Sequence, residues 1–96
     1  MIKSIKKRDG RIVLYNEEKI AQAILKAMQA SGEGDASDAA GVANSVEASL
    51  EKLCGTNPPT IEQIQDQVEK DLMSAGFEET AEKYYDDYYE DYEYYY

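Results

Sequence analysis

The sequence "KKRDGRIVLYNEEKIAQAI", residues 6–24, changes its periodicity at Asn16. Before Asn16, two short runs rich in Ile and Val flank Asp9-Gly10, a dipeptide that tolerates the positive φ angles of a tight hairpin turn. After Asn16, which is a good N-cap, apolar residues recur at intervals of three and four from Ile20 onward. A β-hairpin that runs directly into an amphipathic helix predicts an α+β domain.

A second helix is predicted between residues 35 and 55. Asp35 or Ser37 caps its start, and its buried stripe of apolar residues ends with Leu50 and Leu53. Cys54 follows this stripe and is interpreted as a small buried hydrophobe.

The sequence "TNPP", residues 56–59, excludes a helix because two prolines enforce extended backbone. It is either a plain linker or a short edge strand beside the hairpin. Thr60 and Gln63 then form a capping-box pattern that opens a third helix, whose apolar face runs to Ala75. With a fourth helix from residue 78, we expect a four-helix bundle capped by a small two- or three-stranded sheet.

The C-terminal sequence "KYYDDYYEDYEYYY", from Lys83 to Tyr96, repeats tyrosines with a period of four. A helix has 3.6 residues per turn, so this stripe drifts by about 40° per repeat and leaves any narrow core face. We therefore expect residues 1–83 to form the domain and residues 84–96 to be the end of helix 4 or a tail. Tyr84, with Tyr85 and Tyr88, is expected to complete the bundle, and the last turns are expected to fray.

Composition excludes several classes of protein. The 96 residues include one cysteine and no histidine, so a disulfide framework, a cysteine-based zinc site and a His-assisted nucleophile are all excluded. No apolar run is long enough to span a membrane. We therefore expect a protein that is not itself an enzyme, with no protein-built metal site, in a reducing, cytoplasmic setting.

Charge is distributed unevenly along the chain. Residues 1–19 contain six basic and three acidic residues, although the whole chain has a net charge of −10. A cationic patch in an acidic protein indicates a small anionic ligand, because the other surfaces would repel a nucleic acid.

The basic residues are placed where they can act together. Lys7 and Arg8 lead into the hairpin turn, Arg11 leaves it, and Lys19 lies in the first turn of helix 1. The free N–H groups of that helix start add positive potential, which suits phosphate. The alternative is a solvated strand edge, where lysines discourage aggregation between sheets.

Two stretches resemble a known family. "KKRDGRIV" followed by "YNEEKIAQAI" resembles the start of the ATP-cone, and "PPTIEQIQDQVEKDLMSAG" with "TAEKY" resembles its third and fourth helices. The resemblance covers about residues 2–84 and is strongest to the N-terminal cone of anaerobic (class III) ribonucleotide reductase. It implies a non-catalytic regulatory domain that binds ATP or dATP, with Mg²⁺ accompanying the nucleotide, and a reductase catalytic domain or a second copy as partner.

By position, the resemblance also implies a set of nucleotide-binding residues. It implies that Lys7 and Arg8 meet phosphates and that Ile5 contacts the adenine or ribose. It further implies that Asn16 and Lys19 bind ribose or phosphate and that Thr60 faces the nucleotide.

The sequence departs from the family pattern in two places. Val13 and Leu14 stand where many cones have an acidic or polar residue, and Asp86 and Asp87 stand where apolar residues are usual. Buried unpaired carboxylates are costly, so helix 4 either rotates or stops near Tyr84.

Two other interpretations remain open. The tyrosine-rich C-terminal helix would make the chain a protein-interaction or oligomerisation module built on a cone scaffold. More weakly, its acids would bind a hard cation such as Ca²⁺ or Mg²⁺.

Overall fold

The fold is seen in a computed structural model that describes residues 2–87, with the side chains of residues 2–84. A small antiparallel sheet is followed by four helices, as the sequence predicts. In chain order the elements are β1 (Ser4–Lys6), β2 (Ile12–Leu14), α1 (Glu17–Ser31), α2 (Ala36–Cys54), α3 (Ile61–Ser74) and α4 (Glu78–Asp87). The prediction of an α+β, ATP-cone-like architecture is therefore confirmed.

The sheet has two strands and one additional bridge. Ile5 of β1 pairs with Val13 of β2. On the other edge of β1, Lys6 forms an isolated parallel bridge with Thr60, and its N–H donates to the Pro59 carbonyl at 2.9 Å. Of the two interpretations of residues 56–59, the structure thus favours the edge strand, reduced to a single bridge.

The hairpin turn is looser than the sequence suggests. The Gly10 N–H donates to the Lys7 carbonyl at 2.9 Å, and the Lys7 N–H donates to the Arg11 carbonyl at 2.8 Å. Gly10 has φ +91°, and no other residue type has positive φ within residues 2–87. Asp9 does not adopt positive φ but stabilises the turn through its carboxylate, which accepts a hydrogen bond from the Arg11 N–H at 3.0 Å.

The four helices form a closed bundle in which each helix contacts two others. Helix α1 packs against α2 and α4, and α3 packs against the same two helices. One face of each helix supplies the core, as the spacing of apolar residues predicts. The largest fully buried side chains are Tyr84, Ile5, Ile20, Ile24, Met28, Leu50, Ile61, Ile64, Leu72, Gln65 and Val46.

A buried polar cluster joins α1 to α4 at the end of the bundle away from the sheet. The Thr80 hydroxyl lies 2.8 Å from Ser31 Oγ and donates to Glu33 Oε1 at 2.7 Å. The Thr80 N–H donates to the same carboxylate oxygen at 2.7 Å. The Thr80 hydroxyl and then its N–H lower the pKa of Glu33. This cluster fixes the start of α4 beside the end of α1.

Three residues that the sequence predicts to be buried are exposed or only half-buried. Leu53 is 64% exposed, so it does not belong to the buried stripe of α2. Ala75 is exposed and caps α3 instead of packing in the bundle. Cys54 is only half-buried, and its thiol donates weakly to Gln63 Oε1 at 3.8 Å. The cap of α2 is Asp35, whose carboxylate accepts from the Asp38 N–H.

Helix 4 continues past Tyr84. The Tyr84 side chain is fully buried, which confirms that it completes the core. The backbone remains helical to Asp87, so of the two alternatives for helix 4 the described residues do not favour a stop at Tyr84. The expectations for the side chains of Tyr85 and Tyr88, and for fraying of the last turns, lie outside the described residues.

Candidate functional site

The inward face of the hairpin carries a lysine. Side chains alternate between the two faces of a strand, so Lys7 follows Ile5 on the side that faces the helices. Ile5 is wholly buried, and Lys7 is only 7% exposed. Burying an ammonium group is costly, so Lys7 does not fit the alternative of a lysine on a solvated strand edge. Lys3 and Lys6 are exposed and do fit that alternative.

The start of α3 is attached to the outer edge of β1. Thr60 caps the helix: its hydroxyl accepts from the Gln63 N–H at 3.1 Å, and Gln63 Oε1 accepts from the Thr60 N–H at 2.9 Å. The bridge to Lys6 brings this cap to the sheet. The capping box therefore places the positive end of the α3 dipole beside the basic strand.

An ion pair joins the hairpin turn to α3. Arg8 Nε lies 2.9 Å from Glu62 Oε1, in the first turn of that helix. Glu62's own backbone N–H and then the Arg8 side chain lower the pKa of the Glu62 carboxyl. The turn thus lies over the start of α3.

Arg11, on the other side of the turn, forms a local ion pair. Its Nε lies 2.7 Å from Asp9 Oδ2. The Arg11 N–H and then its guanidinium lower the pKa of Asp9. Both members are more than half exposed, so this pair is easily exchanged for another anion.

The start of α1 carries the other two predicted residues. Asn16 is the N-cap, and its side chain accepts from the Glu18 N–H at 3.1 Å. Lys19 lies half-buried in the first turn. Asn16 is exposed, so its side chain is accessible to a ligand while it caps the helix.

The predicted residues lie along a line and not around a point. Asn16 is five residues beyond Arg11, which is about 16 Å along an extended strand. A ligand that contacts both the turn and the start of α1 must therefore be elongated. The site has cations near both ends, at Arg8 and Lys19, with the two helix N-termini beside it.

Glu62 was missed by sequence reasoning. Its ion pair with Arg8 joins residues that are 54 positions apart, so no local pattern reveals it. The one feature of the sequence that points to Glu62 is its position in the first turn of α3, close to Thr60, which was predicted to face the nucleotide.

Two open hollows of the described surface lie apart from the six predicted residues. One groove of about 460 Å³ follows the outer edge of β1, with Lys3 and Glu51 in its lining, and includes none of the six predicted residues. Another of about 350 Å³ lies between α1 and α2 and is lined by Glu17 and Glu18. Burial and then the Glu47 carboxylate raise the pKa of Glu17. Neither hollow suits a polyanion, so we assign the site by its cations.

The described residues give no sign of a metal centre or of a membrane segment. Within residues 2–84, no three His, Cys, Asp or Glu side chains are grouped as metal ligands. In the same part of the chain, every helix is too short or too polar to span a bilayer.

Comparisons with known proteins agree with this geometry. Residues 3–90 match the ATP cone domain. Over 84 residues the chain is 38% identical to an anaerobic ribonucleoside-triphosphate reductase of Escherichia coli, covering 88% of the chain and 11% of the relative. It is 36% identical to the enzyme of the same name from Salmonella typhimurium, with the same coverage.

A reductase of another kind also matches. Over 75 residues the chain is 41% identical to a vitamin B12-dependent ribonucleoside-diphosphate reductase of Thermoplasma acidophilum, covering 78% of the chain and 9% of that protein. The chain thus spans about a tenth of the length of these relatives. The comparisons give no support to the interaction-module alternative, and the one tyrosine of that stripe whose side chain is described, Tyr84, is buried in the bundle. The KRDG hairpin, the capped third helix and the match over residues 3–90 together show that the chain belongs to the ATP-cone domain family.

Proposed function

We propose that the chain is a regulatory domain that binds ATP or dATP at the hairpin end of the bundle and thereby controls a ribonucleoside-triphosphate reductase. The single observation that carries this proposal is the placement of Lys7, a buried cation on the inward face of the hairpin. A solvated lysine would serve solubility, whereas an enclosed one next to the strand residue that bridges the cap of α3 suits a phosphate group.

The proposed site has three parts. Lys7 and Arg8 bind phosphates from the turn, and Thr60 faces the nucleotide from the cap of α3. Asn16 and Lys19 bind ribose or phosphate from the start of α1. Ile5 is wholly buried, so its contact with the adenine or ribose requires neighbouring side chains to move when the nucleotide enters.

The nucleotide is proposed to bind with Mg²⁺, which neutralises part of the phosphate charge in a chain of net charge −10. The chain itself is not catalytic; the catalytic domain of a reductase is the proposed partner. A cytoplasmic setting is proposed on the single, unpaired Cys54.

Isothermal titration calorimetry with ATP and dATP, with and without Mg²⁺, tests the proposal directly. We expect saturable binding, and Lys19→Ala should weaken it roughly tenfold, as expected for one charge-assisted hydrogen bond. Lys70→Ala is the matched control, because Lys70 is an exposed lysine in the second half of α3, away from the hairpin. Inorganic tripolyphosphate separates phosphate recognition from base recognition. Absence of binding at millimolar nucleotide would exclude the function.

A further inference from the structure

Helix α4 runs towards the candidate site. Thr80, in its first turn, is hydrogen-bonded to Ser31 at the end of α1, whereas α1 begins directly after the hairpin. Because α4 starts beside the end of α1 and packs along it, the C-terminal end of α4 points towards the hairpin.

The remaining chain is long enough to reach the hairpin end. The 15 residues of α1 span about 22 Å, and the seven residues from Thr80 to Asp87 advance about 10 Å of that length. About 12 Å therefore remain. The nine residues 88–96 would cover about 13 Å as a helix and about 30 Å when extended. Its last acid, Glu93, lies six residues past Asp87, which is about 9 Å as a helix and about 20 Å when extended, so an extended segment would bring the acids to the hairpin end.

Charge distinguishes this segment from the site that it can reach. Residues 84–96 contain five acids and no lysine or arginine; the acids are Asp86, Asp87, Glu90, Asp91 and Glu93. Like charges this close in sequence repel one another, so these carboxylates gain by contact with cations. The hairpin end carries six cations, among them Lys7, Arg8, Arg11 and Lys19.

The existing ion pairs at the hairpin end do not prevent such a contact. The Arg8–Glu62 and Arg11–Asp9 pairs are solvent-accessible, with side-chain exposures between 35% and 65%. Exposed pairs of this kind exchange readily, because each is worth at most about 1 kcal/mol. Carboxylates from the C-terminal segment therefore compete for the same guanidinium groups that phosphates would use.

We propose that the carboxylates of Glu90, Asp91 and Glu93 bind the basic hairpin end of their own chain and compete there with the phosphates of the nucleotide. This inference rests on the proposed function for its ligand, but the contact itself does not need a nucleotide. A segment that occupies the site nine-tenths of the time weakens the apparent nucleotide affinity about tenfold. The C-terminal segment thus acts as an internal competitor that sets the nucleotide concentration at which the domain responds.

The test compares two triple variants of the full chain, each with three carboxyl charges removed. Glu90→Gln, Asp91→Asn and Glu93→Gln together alter the segment, and Glu78→Gln, Glu79→Gln and Glu82→Gln together alter the exposed start of the same helix. In ATP titrations at low ionic strength we expect about tenfold tighter binding for the first variant and less than about twofold change for the control. Screening at about 0.5 M salt should remove most of this difference. Equal affinities of the two variants would overturn the proposal while leaving the proposed function intact.

A second measurement needs no nucleotide. Backbone amide NMR spectra of the unaltered chain and the segment variant should differ at Lys7, Arg8 and Lys19, whereas the control variant should match the unaltered chain at these amides. If no chain binds nucleotide, the proposed function fails, but these shifts still decide whether the segment is bound. Unchanged shifts, or shifts that depend on protein concentration, would overturn binding within one chain.

Discussion

Replacing Glu62 with glutamine is expected to strengthen nucleotide binding. Glu62 holds Arg8 at 2.9 Å in the described fold, and Arg8 is one of the proposed phosphate ligands. The carboxylate therefore competes with phosphate for one guanidinium group and also repels phosphate directly. Glutamine keeps the length and polarity of the side chain but removes both effects.

The size of the gain follows from the exposure of the pair. Arg8 and Glu62 side chains are 35% and 53% exposed, so their ion pair is worth about 0.2–1 kcal/mol, as for other solvent-accessible pairs. Removing one negative charge at about 8 Å from a phosphate contributes about 0.5 kcal/mol more in water. Together these effects correspond to roughly three- to tenfold tighter binding at low ionic strength.

Calorimetric titration of the single and double variants separates the two effects. Glu78→Gln is the matched control, because it removes an exposed acid from the first turn of α4, at the other end of the bundle. In an Arg8→Gln background, Glu62→Gln should keep only the smaller gain due to direct repulsion. Weaker or unchanged binding of Glu62→Gln would refute the role of the ion pair, and a full gain without Arg8 would show that general charge alone is responsible.

The remaining predictions concern stability. Thr60→Ala should reduce the free energy of unfolding by about 1–2 kcal/mol, because it removes half of the capping box with Gln63, whereas Thr60→Ser should retain most of it in urea titrations. Tyr84→Ala should cost about 3–5 kcal/mol, because the side chain is fully buried, while Ala at the exposed neighbour Glu82 should cost less than about 0.5 kcal/mol. The pKa of Glu33 is lower in the folded state than in the unfolded chain. The ionised carboxylate therefore stabilises the fold above its usual pKa, and this stabilisation is lost as the pH falls through the lowered pKa. Glu33→Gln should reduce the loss of thermal stability between about pH 5 and pH 3.

Local chemistry explains which parts of the fold were predictable. The hairpin and the caps of α1 and α3 depend on residues within four positions of one another, and each was found from its own short pattern. Leu53 shows the limit of periodicity. Spacing by three from Leu50 places Leu53 on the apolar face of α2, but it does not reveal that this side chain is exposed in the fold.

Whether residues 56–59 form a linker or an edge strand could not be decided from the sequence for a specific reason. Proline has no N–H to donate to a sheet, which argues against a strand, but it keeps its carbonyl. The bridge uses that carbonyl, since the Pro59 oxygen accepts from Lys6. Likewise, the contact between Arg8 and Glu62 depends on where the turn lies relative to α3, and only the folded chain shows this.

The two ends of the bundle are built from different kinds of contact. At the far end, Thr80 is wholly buried and joined to Ser31 and Glu33 by three hydrogen bonds, and breaking any of them would leave a polar group without compensation. At the hairpin end, exposed ion pairs join the turn to itself and to α3, and each can exchange one anion for another at little cost. A ligand can therefore rearrange the hairpin end while the far end keeps α1 and α4 in place. This difference would let the domain bind the proposed anion, or its own acidic segment, without unfolding.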